Sequence, residues 1–339
     1  MSPSVNSIAG SNSTSLEDLD VDDLTAHVIK VSSNIDNERI KFIFSRLIRH
    51  SHDFIRETAI QRHEWEAAWE FLTEAGTYPR TVPCHSMTDR SQVGQACHPE
   101  RQEFILLSDV LGISALVDQI NSRQLPGCTE SSVLGPFHNE SHEFNHGDSI
   151  SSVGAGQSML IRGTVRNRKG EPISGALLDI WETNGNGKYD MQDPETGGPD
   201  CRGKFYTDCE GRFYINGVRP VDYPVPFDGP VGIVLDLLNR QAYRPAHVHF
   251  LISHPSYERL NTALYDRTSP NIFRDPVFGT KSSLVKDIEW VEGKEEAKMY
   301  NTKTFIRVED GSETEGFWLL EHDFILAETQ GTPNLKSQL

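Results

Sequence analysis

The stretch YRPAHVHFLI, Tyr243 to Ile252, places two histidines two residues apart between a Tyr-Arg-Pro lead and an apolar run. In an extended strand, residues i and i+2 project from the same face. His247 and His249 therefore point together, while Ala246, Val248, Phe250 and Ile252 line the opposite face. This alternation predicts a strand with one face in an apolar core and the other at a polar site. Two imidazoles converging from one strand make half of a metal site. They also suit a hydrogen-bonded pair in a polar core, and the rest of the chain has to decide.

Outward from this strand the period of two continues. SMLIRGTV (158–165) alternates, and Asn167-Arg168-Lys169-Gly170 supplies a turn before GALLDIW (175–181). KFYTDCEGRFYI (204–215) reads as a hairpin around Gly211, and KTFIRV (303–308) and FWLLEHDFILA (317–327) read as further strands. Short strands separated by Gly, Pro and Asp predict a two-sheet β-sandwich over 151–330. Ahead of it the period is 3.6. Ile40, Phe44, Leu47, Ser51 and Phe54 form a helical seam that starts near Asn37. Trp65, Ala68, Trp69 and Leu72 share a face of a second helix that Gly76 is placed to end. A third, around Phe104, Leu107 and Leu111, stops near Gly112. The fold class is mainly β: a two-sheet sandwich carrying the polar site, preceded by a helical region over 36–150. Residues 1–35, rich in Ser, Asn and Asp, and residues 331–339 read as loosely attached tails.

A chain of 339 residues with 37% hydrophobic content can bury a sizeable core, and its net charge of −17 argues against a nucleic-acid partner. The N-terminus has no basic region followed by an apolar run, so no signal peptide is expected. Five scattered cysteines, at 84, 97, 128, 201 and 209, read as free thiols in a reducing cytoplasm. Cys84, His85, Cys97 and His98 lie in a loop over 77–100 and match no tight zinc spacing, so a surface loop is expected there.

The sandwich half has few other histidines, and no cysteine or carboxylate stands at a telling spacing from the pair. Tyr189 and Tyr223 instead stand out in polar, Gly/Pro-rich loops. Each suits a half-buried turn residue. As a metal ligand a phenol must lose its proton, which a hard, highly charged cation such as ferric iron makes easy and zinc does not.

LGPFH (134–138), KYDMQ (188–192), YPVPFDGPVG (223–232), YRPAHVHF (243–250) and DPVFGTKSSL (275–284) occur in one order, after RQEFILLSDVLGISALVD (101–118). Together they resemble the intradiol ring-cleavage dioxygenases of the catechol and hydroxyquinol 1,2-dioxygenase group, over residues 36 to 328. The resemblance implies a non-haem Fe(III) held by Tyr189, Tyr223, His247 and His249, with Tyr223 leaving as substrate arrives. It implies that Arg244 stabilises charge on the ring, and that Val133, Leu134, Pro136, Phe137 and Asp190 line the ring pocket. It also implies a homodimer through the N-terminal helices, with phospholipid in an apolar channel there. KYDMQ resembles the hydroxyquinol form more than the plain catechol form. The expected substrate is benzene-1,2,4-triol, opened to 3-hydroxy-cis,cis-muconate or its maleylacetate tautomer, with catechol second. Ala263 stands where many members carry a glutamine, which suggests that Arg244 acts alone or that the substrate is electron-rich. The competing readings are a non-catalytic sandwich with a structural metal and a zinc hydrolase built on His247 and His249. Both lack a use for the tyrosine pair.

Overall fold

The computed structural model describes residues 19–77, 96–98, 101–122, 126–193 and 197–329. Helices come first: α1 (Asp23–Val31), α2 (Glu38–Thr58), α3 (Arg62–Thr77), α4 (Glu103–Val110) and α5 (Ile113–Ser122). Asn37 caps α2, its side chain accepting from the Arg39 and Ile40 amides at 3.1 Å.

Part of the expected N-terminal tail is structured. Leu24 and Val28, one helical turn apart, give α1 an apolar edge that docks at 1% and 0% exposure against α2 and α5. A short segment needs few large residues when its partner surface supplies the rest of the core. Residues 1–18 and 330–339, and Cys84 and His85 with most of their loop, lie outside the described residues. The inward face of α2 lies beside the expected seam. Ile48, His52 and Ile55 are buried, whereas Leu47 and Phe54 are 46% and 54% exposed. The helix continues through Gly76 to Thr77.

Thirteen strands follow among the described residues. β1 (Ser158–Asn167) is flanked on one side by β4 (Arg212–Val218), antiparallel, and on the other by β12 (Ser312–Glu321) and then β13 (Phe324–Leu326), both parallel. β10 (Glu289–Glu292) and β11 (Phe305–Glu309) complete this six-stranded sheet through β12. The second sheet runs β3-β2-β7-β8-β9, with β2 Leu177–Trp181, β3 Arg202–Tyr206, β7 His247–His254, β8 Tyr257–Asp266 and β9 Val285–Lys286. β5 (Tyr223–Pro224) and β6 (Tyr243–Arg244) form a separate ribbon. Helix α6 (Pro230–Leu237) lies between them in the chain and α7 (Glu295–Met299) follows β10.

Two expected connections come out differently. FWLLEHDFILA is two strands, broken at His322-Asp323, where the chain crosses Gly163 so closely that a Cβ there would meet the His322 carbonyl. KFYTDCEGRFYI is not a hairpin, because β3 pairs with β2 and β4 with β1. The turn around Gly211 carries the chain from one sheet to the other. Period-two patterning cannot distinguish these cases, since both strands need an inward apolar face in either arrangement.

The core between the sheets holds Met159, Ile161, Phe213 and Phe324 from one and Ile180, Val248, Phe250 and Ile252 from the other. A second core packs the helices with Val225, Val231, Leu235 and Val277. His247 and His249, on the face of β7 opposite Val248 and Phe250, thus lie between the sandwich and its helical cover.

Candidate active site

His247 Nε2 lies 3.0 Å from His249 Nε2 and 3.4 Å from the Tyr223 hydroxyl, which in turn accepts from the Tyr189 hydroxyl at 3.0 Å. None of the four residues is more than 2% exposed. Donors held about 2 Å from one shared ion stand roughly 3 Å from one another, a spacing that these contacts match.

Local structure sets each donor. The His247 Nδ1–H donates to the Pro245 carbonyl at 2.6 Å, so its Nε2 carries the lone pair when the ring is neutral. Tyr189 caps a short 3-10 turn, its amide donating to Gln192 Oε1 at 3.1 Å, and its ring stacks on Phe137 at 4.4 Å. Tyr223 pairs with Arg244 across the β5–β6 ribbon. Asp222 ties this ribbon to the histidine strand by accepting from the Ala246 amide at 2.9 Å, and it also accepts from the Ser269 hydroxyl and the Asn271 amide at 2.6 Å.

The electrostatics favour a bound cation. Burial, then the Arg244 charge, pushes His247 down to about 3, and burial with His247 and Arg244 holds His249 well below its ordinary value. Both imidazoles are therefore neutral donors at pH 7. Burial raises both phenols, and nearby Arg244 offsets that only in part. A strongly charged cation is what would turn them into phenolates. Among the described residues no three His, Cys, Asp or Glu side chains converge on a metal-sized space, so the tyrosines are the only further donors beside the pair.

Arg244 is 2% exposed and does not stand alone. Its Nε and Nη2 donate to Asp275 at 3.1 and 3.3 Å, Nη2 reaches the Tyr265 hydroxyl at 3.1 Å, and Nη1 reaches Tyr223 at 3.4 Å. Asp275 also accepts from the amides of Val277 and Gly279 at 3.3 and 3.0 Å. Burial alone would raise its carboxyl, but Arg244 outweighs that and holds it below the ordinary range. Ala263 lies directly opposite His249 in the β7–β8 register, and Tyr265 opposite His247.

The expected pocket wall divides. Leu134 and Phe137 pack in one cluster with Trp181, Tyr189 and Tyr223. Pro136 is half-buried beside them, whereas Val133 sits in the helix-side core. Both Asp190 oxygens are taken by Arg202, which also donates to the Phe137 carbonyl at 3.1 Å. Asp190 thus fixes the wall rather than presenting a free carboxylate. Gly135, at φ +72°, faces the site directly, since a Cβ there would lie 3.9 Å from His249 Nε2 and 4.0 Å from Arg244 Nη1. A separate cavity of about 930 Å³ between α1, α5 and the sandwich reaches Asp275 but touches none of these wall residues. Sequence reasoning passed over Asp222, Tyr265, Asp275, Trp181 and Gly135. Of these, Gly135 and Asp275 stand inside stretches that carry the resemblance, LGPFH and DPVFGTKSSL.

Comparison with known proteins identifies the family. Residues 133–308 match the dioxygenase family, and residues 37–81 and 91–129 match the catechol dioxygenase N terminus. An intradiol ring-cleavage dioxygenase of Aspergillus niger is 41% identical over 95% of this chain and 89% of its own. A hydroxyquinol 1,2-dioxygenase of Rhizobium is 38% identical over 88% of this chain and 93% of its own. The solved structure of a Pseudomonas putida hydroxyquinol 1,2-dioxygenase, 35% identical, covers 90% of this chain and 97% of its own with a TM-score of 0.62. A helical cover, a sandwich and a buried Tyr2His2 cluster define a ring-cleaving oxygenase. The chain belongs to the intradiol ring-cleavage dioxygenase family and is an enzyme of that class.

Proposed function

We propose that this enzyme is a hydroxyquinol 1,2-dioxygenase, opening benzene-1,2,4-triol between its adjacent hydroxyl carbons at a non-haem ferric centre. Tyr189, Tyr223, His247 and His249 would hold the iron. The observation that carries this reading is the unbroken chain of three contacts linking their four donor atoms, each 3.0 to 3.4 Å. Two phenolates and two neutral imidazoles leave a ferric ion one net positive charge. Ferric iron bound there supplies Lewis acidity to a chelated diol, so that the ring itself furnishes the four electrons dioxygen needs.

The protein's own groups do the rest. Tyr223 Oη faces this space and would accept a proton from a ring hydroxyl. Arg244, which stays charged, faces the same space and holds negative charge developing on the ring. Leu134, Phe137 and Trp181 exclude water, and Gly135 leaves room for the ring plane. Two relatives named for hydroxyquinol support the triol over catechol.

The exposed Phe42, Ile43, Leu47 and Phe54 of α2 suit a homodimer seam, with phospholipid between the helices. Cys128, Cys201 and Cys209 form no disulfide, which suits a reducing cytoplasm. No helix among the described residues is long and apolar enough to cross a membrane.

The test is oxygen uptake by the iron-loaded protein with benzene-1,2,4-triol and with catechol, side by side. Faster uptake on the triol supports the proposal. Faster uptake on catechol replaces the substrate and keeps the site. A colourless, inert protein after iron loading overturns the ligand assignment.

A further inference from the structure

The two histidines are anchored by different means. His247 gives its Nδ1–H to the Pro245 carbonyl at 2.6 Å, the arrangement that ordinarily orients a ligating imidazole. His249 Nδ1 is buried and meets no hydrogen-bond partner among the described residues. Its ring lies instead face to face with the Trp181 indole, centroids 4.7 Å apart and planes 6° from parallel. Trp181 is 1% exposed and pairs with His249 across β2 and β7, and Ala263 pairs with His249 across β8. Trp181, His249 and Ala263 thus form one cross-strand row, large, ligating and small. His138 also packs edge-on against the indole, centroids 4.8 Å apart.

We propose that Trp181 is the positioning residue for His249, its stacked indole fixing the imidazole plane where a hydrogen bond fixes that of His247. This rests on the four-ligand iron site proposed above. A hydrogen bond at Nδ1 raises a ligand's basicity as well as orienting it, and stacking does only the second. His247 is therefore the stronger donor and His249 the weaker, more easily released one.

The experiment compares Trp181→Phe and Trp181→Leu with the unaltered enzyme, each as apoprotein and loaded with ferric iron. The readouts are the visible tyrosinate-to-iron band, the rate at which a chelator removes iron, and the rise in Tm that iron confers. The expected result is at least tenfold faster iron loss, a shifted band and a smaller iron-dependent Tm rise for Trp181→Leu. Trp181→Phe, which keeps a ring in place, restores most of each. An equal fall in Tm for apo and loaded Trp181→Leu, with band and iron loss unchanged, means Trp181 only fills the core and overturns the proposal. Band and iron loss unchanged in both variants overturn it equally. Should the unaltered protein take up no iron and show no colour, the site assignment falls first and this inference with it.

Discussion

Arg244 and Asp275 form a buried ion pair, each side chain 3% exposed, with Nε 3.1 Å from Oδ1 and Nη2 3.3 Å from Oδ2. The pair holds the guanidinium edge-on, so that Nη1 turns toward Tyr223 and the space beside Gly135. Arg244 is thus hydrogen-bonded within a three-residue unit with Asp275 and Tyr265.

Replacing Asp275 with Asn keeps the shape and loses the charge that fixes Arg244. Turnover is expected to fall at least tenfold while the protein keeps its iron and its visible band. Asp275→Ala also strands a buried cation, which costs about 3–5 kcal/mol, so a clear drop in Tm accompanies it. Steady-state oxygen uptake with iron analysis checks both. Normal turnover in Asp275→Asn would show that Arg244 needs no such partner.

Gly135 leaves the space between His249 and Arg244 open. Gly135→Ala must hold φ near +72°, costing about 1–2 kcal/mol, and adds a methyl group facing the ring. The expected outcome is a raised KM for the triol with the visible band unmoved, and Gly135→Val abolishes uptake. A KM unchanged in Gly135→Ala would place the ring elsewhere.

Ala263 is fully buried on β8, opposite His249 of β7. A glutamine there overpacks a filled row and buries an amide, costing about 1–3 kcal/mol. Ala263→Gln is expected to lower Tm without raising turnover, because Asp275 and Tyr265 already steady Arg244. A several-fold gain in turnover on catechol would mean that the charge is under-stabilised after all.

Glu182 is 1% exposed, with only the Val218 amide donating to it at 2.9 Å, and burial raises its pKa from 4.5 to about 8. The unfolded chain releases this proton near 4.5 and the folded chain near 8, so the folded state binds more protons between them. Stability therefore falls as pH rises through that window. Glu182→Gln keeps the acceptor and removes the ionisation. Its Tm is expected to exceed that of the unaltered protein at pH 8 and to match it at pH 4.5, by calorimetry of both. Parallel Tm curves across the window would refute the assignment.

The sequence by itself determined the strand period around His247 and His249 and the helix-then-sandwich order, and it marked out Tyr189 and Tyr223, which the fold brings beside the two histidines. These are local or motif properties: alternation sends two imidazoles one way whatever surrounds them. Which strands pair was not legible, because KFYTDCEGRFYI carries the same pattern as a hairpin and as a crossing between sheets. Which stripe of α2 packs inward was not legible for a related reason. Leu47 and Phe54 are as apolar as Ile48 and Ile55, and only the docked partner helices choose between the two faces. The groups that orient the site were equally hidden. Asp275 is 31 residues from Arg244, and Trp181 is far ahead of His249 in the chain. Only tertiary structure brings them within contact, since pairing across strands and loops sets distances that spacing along a chain does not contain.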